Sequence, residues 1–339
     1  MKYRYLGNTG IQVSSLCMGT MTFGREADKS EARAMFNCCR DAGVNFFDCA
    51  NVYSRGAAET ILGELITDCR QELVVTSKFG SPMGSGPNTD GGSRRHLAAS
   101  LEASLRRLNT EYLDIYFLHR FDELTPLEET LRALDDAVAQ GKVRYIGNSN
   151  FAAWQIAKAL GVSALNGWTP FHCLQPMYNL IKRQAEVEIL PMAEAENLGV
   201  ISYNPLAGGI LSGKYGTDRQ ADQGRLTTDT MYQKRYHDQW IYDVAVRFSQ
   251  LAADSGYHPV SLAVAWVAHH PAITSPIMGA RNVAQLKDSL KSVEIELSPE
   301  LYDEIGRLTP APRRPPTARR IGWQTGYRRI FKASLRFTT

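Results

Sequence analysis

No stretch of this sequence approaches the roughly 18 consecutive apolar residues of a membrane-spanning helix, and no apolar core follows Met1-Lys2-Tyr3-Arg4-Tyr5, where a secretory signal would place one. A membrane partner is therefore not expected, and a cytoplasmic location is. Cysteine is sparse, at positions 17, 38, 39, 49, 69 and 173, with no Cys-x-x-Cys spacing. That excludes the common zinc frameworks and, without secretory context, favours free thiols. The adjacent pair His269-His270 points its rings apart on any regular element, so no metal is expected. The usual dinucleotide fingerprint, Gly-x-Gly-x-x-Gly after a strand, is missing as well. Acidic residues stop at Glu304, and paired arginines follow at 313 and 314, 319 and 320, and 328 and 329. The whole chain nevertheless carries a formal charge of only +3, so nucleic acid is not the expected partner.

What is present is an alternation. Apolar, strand-like runs occur at 16–19, 44–48, 73–78, 114–119, 143–148, 173–178, 200–203 and 276–279. Amphipathic stretches such as 30–42, 95–108 and 127–140 lie between them, the last stopped by Gly141. Continuous apolar runs alternating with helices predict buried strands of a parallel α/β sheet. Periodicity alone leaves a closed barrel and an open doubly wound sheet both possible. With 339 residues the chain exceeds the ~250 of a bare eight-stranded barrel, so a single large domain over 1–310 is expected. Residues 311–339, rich in proline and arginine, read as a carboxyl-terminal extension. Two irregular polar stretches, 80–93 and 214–236, follow strands and would border a functional mouth.

Asp48, Lys78 and His119 each close an apolar run, and Tyr53 follows Asp48 by five residues. At the carboxyl ends of parallel strands such residues converge. A tyrosine has an ordinary pKa of about 10, so donating its proton near neutral pH calls for a neighbouring ammonium to stabilise the phenolate. Lys78 would supply it, Asp48 would hold Lys78 charged and lower the Tyr53 pKa with it, and His119 would orient a carbonyl oxygen. Tyr53 as general acid, with hydride from elsewhere, amounts to reduction of a carbonyl to an alcohol.

The segment Phe47-Asp48-Cys49-Ala50-Asn51-Val52-Tyr53, with Gly56 and Glu59, resembles the aspartate-to-tyrosine signature of the aldo-keto reductases. Gly19-Thr20-Met21-Thr22-Phe23-Gly24 resembles that superfamily's first strand-to-loop segment. Ser93 through Leu108 resembles its helix before the fourth strand, and Tyr112 through His119 carries the matching histidine. Gly141 through Phe151 follows, departing from the usual pattern at Asn148. The resemblance runs in order from about Leu6 to about Pro299. It implies a (β/α)8 TIM barrel with long strand-to-helix loops, and an NADPH-dependent enzyme that reduces the aldehyde or ketone carbonyl of a small-molecule substrate. No residue pattern specifies an oligomeric state.

The same resemblance implies the cofactor contacts. Gly19, Thr20, Met21 and Asp48 lie at the first two strand ends. Ser149, Asn150 and Gln175 match the residues that read the nicotinamide carboxamide, and Tyr203 would stack on the ring. Asn204, Pro205, Leu206, Ala207, Gly209 and Lys214 belong to a small-residue loop around the pyrophosphate, which Arg225 would join. Gly279, Arg281 and Gln285 open a helix whose amides would favour a phosphate, and Arg281 suits the adenosine 2′-phosphate, so NADPH is expected over NADH. Asp288 and Ser289 stand where the family usually has Glu and Asn at the adenine end; serine is shorter and lacks the amide's paired donor and acceptor. A second implied reading is a slow NADP-binding redox-sensing or regulatory subunit.

Overall fold

The computed structural model describes residues 1–216 and 229–313. Ten strands and eleven α-helices follow one another along these residues. A hairpin comes first, β1 (Tyr3–Tyr5) and β2 (Gln12–Ser14), paired antiparallel. Then come β3 (Cys17–Gly19), α1 (Lys29–Asp41), β4 (Phe46–Asp48), α2 (Ala57–Ile66), β5 (Val74–Phe79), α3 (Arg94–Leu108), β6 (Leu113–Leu118) and α4 (Leu127–Ala139). The chain continues through β7 (Val143–Ser149), α5 (Ala153–Asn166), β8 (Cys173–Gln175), α6 (Ile189–Ala195) and β9 (Gly199–Val200). It ends with α7 (Thr230–Arg235), α8 (Gln239–Asp254), α9 (Pro259–His269), β10 (Ile277–Met278), α10 (Val283–Leu290) and α11 (Pro299–Arg307).

The strands from β3 to β10 form one parallel sheet of eight in the order β10-β3-β4-β5-β6-β7-β8-β9. Its two ends meet: the Thr274 amide donates to the Val200 carbonyl at 2.9 Å and the Ile277 amide to the Ser202 carbonyl at 2.8 Å. The sheet therefore curls into the (β/α)8 barrel expected from the resemblance. All eight expected strand runs are strands, mostly shorter than the apolar runs that announced them.

Two apolar layers follow from strand alternation. One face of the strands points inward, where Cys17, Phe46, Val74, Ile115, Phe117, Cys173, Ile201 and Ile277 pack together. The opposite face meets the helices through residues such as Met18, Phe47, Val75, Tyr116, Ile146 and Leu174. The amino-terminal hairpin is an element the sequence reading did not anticipate. Its Leu6 and Val13 belong to the inner cluster and plug the amino-terminal end of the barrel. A cleft of about 490 Å³ opens at that end beside Arg4 and His270, and no strand-end site residue lines it.

Helix ends follow local chemistry. Asp28 accepts the Glu31 amide before α1, Ser93 the His96 amide before α3, and Ser298 the Leu301 amide before α11. The stretch 80–93 is irregular as expected, whereas α7 lies within the expected 214–236 loop because Asp229 caps it. Of the expected extension, residues beyond Arg313 lie outside the described residues. Among the described residues, no helix is long and apolar enough to cross a membrane and no cluster of potential metal ligands occurs. All six cysteines are free, and Cys49 is a fully buried packing residue.

Candidate active site

The inward alternation that fills the barrel continues past the apolar layer. Phe46 faces in, so Asp48 does; Val74 leads to Thr76 and Lys78; Phe117 leads to His119; Cys173 leads to Gln175; Ile201 leads to Tyr203. The same step of two brings Gly19, Ser149 and Gly279 inward at the carboxyl ends of their strands. Register aligns the layers, with Asp48 beside Thr76, Lys78 beside Phe117, and Ser149 beside Gln175.

Lys78 lies at the centre with no exposed surface. Its Nζ donates to Asp48 Oδ2 at 2.6 Å, to the Cys49 carbonyl at 2.7 Å and to the Tyr53 hydroxyl at 3.2 Å, which uses all three ammonium donors. The other carboxylate oxygen of Asp48 accepts from Thr76 Oγ1 and from Gln175 Nε2, both at 2.8 Å. Thr76 was not anticipated from the sequence, although its place two residues before Lys78 on one strand is the signal that would find it.

Burial disfavours charge on Lys78, but Asp48 and the Tyr53 oxygen outweigh it and carry its pKa above the ordinary lysine value. Burial pushes Tyr53 up to about 12 against the pull of Lys78, and the Asp48 charge adds to the rise. This corrects the expectation that Lys78 and Asp48 together bring the phenol below its ordinary value: desolvation exceeds the ammonium's effect and the carboxylate acts in the opposite sense. The resulting Tyr53 is held protonated.

His119 and Tyr53 face each other edge-on, with ring centroids 6.0 Å apart. Burial, with Lys78 and Arg120 nearby, lowers His119 to about 3, so the imidazole is neutral. Its Nδ1 lies 3.4 Å from Ser81 Oγ, a residue at the head of the 80–93 loop that the sequence reading left unassigned.

Most of the other expected residues converge on the same mouth. Ser149 Oγ donates to the Gln175 carbonyl at 2.7 Å, and Asn150 Nδ2 donates to the His119 carbonyl at 2.9 Å. Tyr203 Oη donates to Asn150 Oδ1 at 2.8 Å. Asn150 holds a left-handed φ of 59°, a conformation asparagine tolerates better than most side chains. Thr20 donates to the Asp48 carbonyl and Thr22 to the Ala280 carbonyl, which ties the first strand-end loop, including Met21, to the loop after β10.

The loop after β9 turns back on itself through left-handed Asn204, Ala207, Gly208 and Gly209. Asn204 secures it by accepting the Gly208 amide at 2.7 Å and donating to Tyr236 Oη at 2.7 Å. Pro205 and Leu206 lie within this turn, and Lys214 is exposed just beyond it. The Arg281 charge opposes the rise that burial imposes on the Tyr215 phenol just beyond the glycine loop. Arg225 lies outside the described residues.

The α10 entrance differs from expectation. Three amides there are already taken: Val283 N–H by the Glu31 carboxylate at 2.7 Å, Gln285 N–H by Asn282 Oδ1 at 3.0 Å, and, just before the helix, Arg281 N–H by Gln285 Oε1 at 3.2 Å. The reason is capping by Asn282 and Gln285 from within the turn and by Glu31 of α1 from far along the chain, which leaves the Arg281 side chain as the group open to a phosphate. Ser289 lies on the buried face of α10, while the Asp288 carboxylate lies outward, 3.7 Å from Lys291 Nζ and 3.9 Å from His258 Nε2.

A model of the Aldo/keto reductase family matches residues 15–309. The chain is 36% identical to an uncharacterized oxidoreductase, YrpG, of Bacillus subtilis, over 92% of this chain and 97% of that protein. It is also 36% identical to a probable voltage-gated potassium channel subunit beta of Arabidopsis thaliana, over 94% of this chain and 100% of the other. A versiconal hemiacetal acetate reductase of Aspergillus parasiticus is 30% identical over 88% of this chain and 94% of its own length.

Proposed function

The chain belongs to the aldo/keto reductase family and is an oxidoreductase, and from that premise we propose that it reduces an aldehyde or ketone to the alcohol with NADPH, Tyr53 donating the proton. The observation that carries this is the buried Lys78, whose ammonium joins Asp48 to the Tyr53 hydroxyl at the barrel mouth. A charge this deep is stable only with partners of this kind, and the one partner able to release a proton outward is Tyr53.

The described residues fit a nicotinamide dinucleotide. Asn150 and Gln175 offer amide groups and Ser149 a hydroxyl in one hydrogen-bonded row, beside the ring of Tyr203. The left-handed turn at Gly208 and Gly209 makes a concave backbone without bulky side chains, and Lys214 and Arg281 provide cations for phosphates. When bound, the nicotinamide supplies the hydride. Tyr53 gives its proton to the developing alkoxide, and Lys78 stabilises the phenolate left behind. Asp48 keeps Lys78 charged and oriented. If the neutral His119 ring accepts from Ser81 at Nδ1, its proton is on Nε2, aimed at the carbonyl oxygen.

The direct test is to measure NADPH and NADH binding, then turnover with aldehydes and ketones. NADPH binding with no turnover across the panel would overturn the reductase reading. Arg281→Ala is expected to raise the NADPH Kd by about tenfold to a hundredfold and to leave NADH nearly unchanged, since only NADPH carries the 2′-phosphate. Equal weakening of both would remove Arg281 from that role.

Protonation states imply a second result. His119 is neutral above about 3 and Tyr53 protonated below about 12, so kcat for reduction is expected to stay flat from about pH 6 to 9. A limb near the ordinary histidine value of about 6.5 would show that His119 titrates during catalysis.

Similarity to proteins named as potassium-channel beta subunits favours a second reading, a slow NADP-binding regulatory subunit. Tight cofactor retention, a stable complex with a partner and turnover slower than cofactor exchange would support it.

A further inference from the structure

Glu59 has no exposed surface, and both of its oxygens are taken by groups on other elements. Oε1 accepts from Ser77 Oγ on β5, and Oε2 accepts from Arg107 Nε of α3 at 2.7 Å. Ser77 is the residue before Lys78 on the same strand. Glu59 itself is in the first turn of α2, directly after the turn that carries Tyr53.

That turn is strained. Ser54 and Arg55 hold φ of 49° and 53°, and Gly56 a φ of 95°. Two consecutive left-handed side-chain residues are costly and persist only when their surroundings over-determine them. The surroundings are specific. Ser54 Oγ donates to the Phe23 carbonyl at 2.7 Å, and the Arg107 side chain lies so close over Gly56 that a Cβ there would meet its Cδ at 2.8 Å. Arg107 is in turn aimed by Glu59.

Resting on the reductase reading above, we propose that Glu59 is a positioning residue. Its single buried carboxylate joins the turn bearing the Tyr53 phenol to the strand bearing the Lys78 ammonium, and so sets the 3.2 Å contact between them. The Arg107 side chain transmits this by pressing the left-handed turn from above. Weakening the link lets the phenol drift from Lys78, which removes stabilisation of phenolate and raises the Tyr53 pKa further.

The test compares the native chain with Glu59→Gln, which keeps the shape and removes the charge. Two readouts separate positioning from bracing of the fold. The first is the pH dependence of alcohol oxidation, which requires Tyr53 as phenolate; its rising limb, which climbs across about pH 8 to 10 without a plateau, is displaced to higher pH in Glu59→Gln, so that the rate at each of these pH values falls about tenfold to a hundredfold while cofactor affinity holds. The second uses no turnover: the 13Cζ resonance of labelled Tyr53 in the cofactor-free protein, assigned with Tyr53→Phe, shifts in the variant. Ser77→Ala, a smaller change, moves both readouts in the same direction and stands in should Glu59→Gln fail to fold. A melting temperature lowered with the limb and the resonance unchanged would overturn the proposal. A shifted resonance in a chain that never turns over would uphold the positioning and sink the reductase reading alone.

Discussion

Replacing Tyr53 with phenylalanine is expected to lower kcat for carbonyl reduction by about 100-fold to 10,000-fold, the range attributable to a positioned general acid. The substitution removes one hydroxyl and little else. The ring keeps its edge-on contact with His119. Lys78 retains Asp48 and the Cys49 carbonyl as acceptors, so the ammonium stays paired. Loss of one hydrogen bond from the charged ammonium to a neutral hydroxyl costs about 1.5–3 kcal/mol at most. Stability should therefore fall by no more than that and cofactor affinity should remain near native, while the chemical step collapses. Single-turnover hydride transfer, followed by loss of NADPH absorbance, would isolate that step from product release. A rate within tenfold of native would mean that another group, or water, supplies the proton.

Asp48→Ala should instead fail at the level of folding, by about 3–5 kcal/mol, because it leaves a buried ammonium without its counter-charge. Lys78 is wholly buried and Asp48 is 2% exposed, so water cannot replace the lost partner. Two further donors, Thr76 Oγ1 and Gln175 Nε2, lose their acceptor at the same time. Without Asp48, burial is the dominant influence on Lys78, and its pKa should drop below the ordinary lysine value. Denaturant unfolding gives the measurement. Pairing Asp48→Leu with Lys78→Met should recover most of the loss, since removing both charges removes the penalty. A single-variant loss under about 1 kcal/mol would show that the ammonium finds another partner or a route to solvent.

These two expectations use different kinds of information. The apolar runs ending in Asp48, Lys78 and His119 mark strand ends in the sequence itself, because a parallel strand buried on both faces must be apolar until it reaches the mouth. Alternation with period two then decides which later residues share the inward face with Phe46, Val74 and Phe117. The eight strands and the candidate residues at their ends are local properties, readable from neighbours a few positions apart, whereas the closed order of the sheet is implied only by the family resemblance.

Closure of the sheet between Val200 and Thr274, the hairpin plug of Leu6 and Val13, and the two-sided grip of Glu59 on Ser77 and Arg107 join residues far apart in the chain. No short-range pattern specifies them. The occupied amides of α10 depend on Glu31, 252 positions away from Val283. The protonation of Tyr53 was misjudged from the sequence for the same reason. The types of its neighbours are written in the motif, but the balance between Lys78 and desolvation depends on how much water the folded barrel removes. The sequence by itself thus determined the fold class and the identities of the residues at the mouth. Only the tertiary structure decided their distances, their partners and their protonation, because those depend on closure and burial rather than on order along the chain.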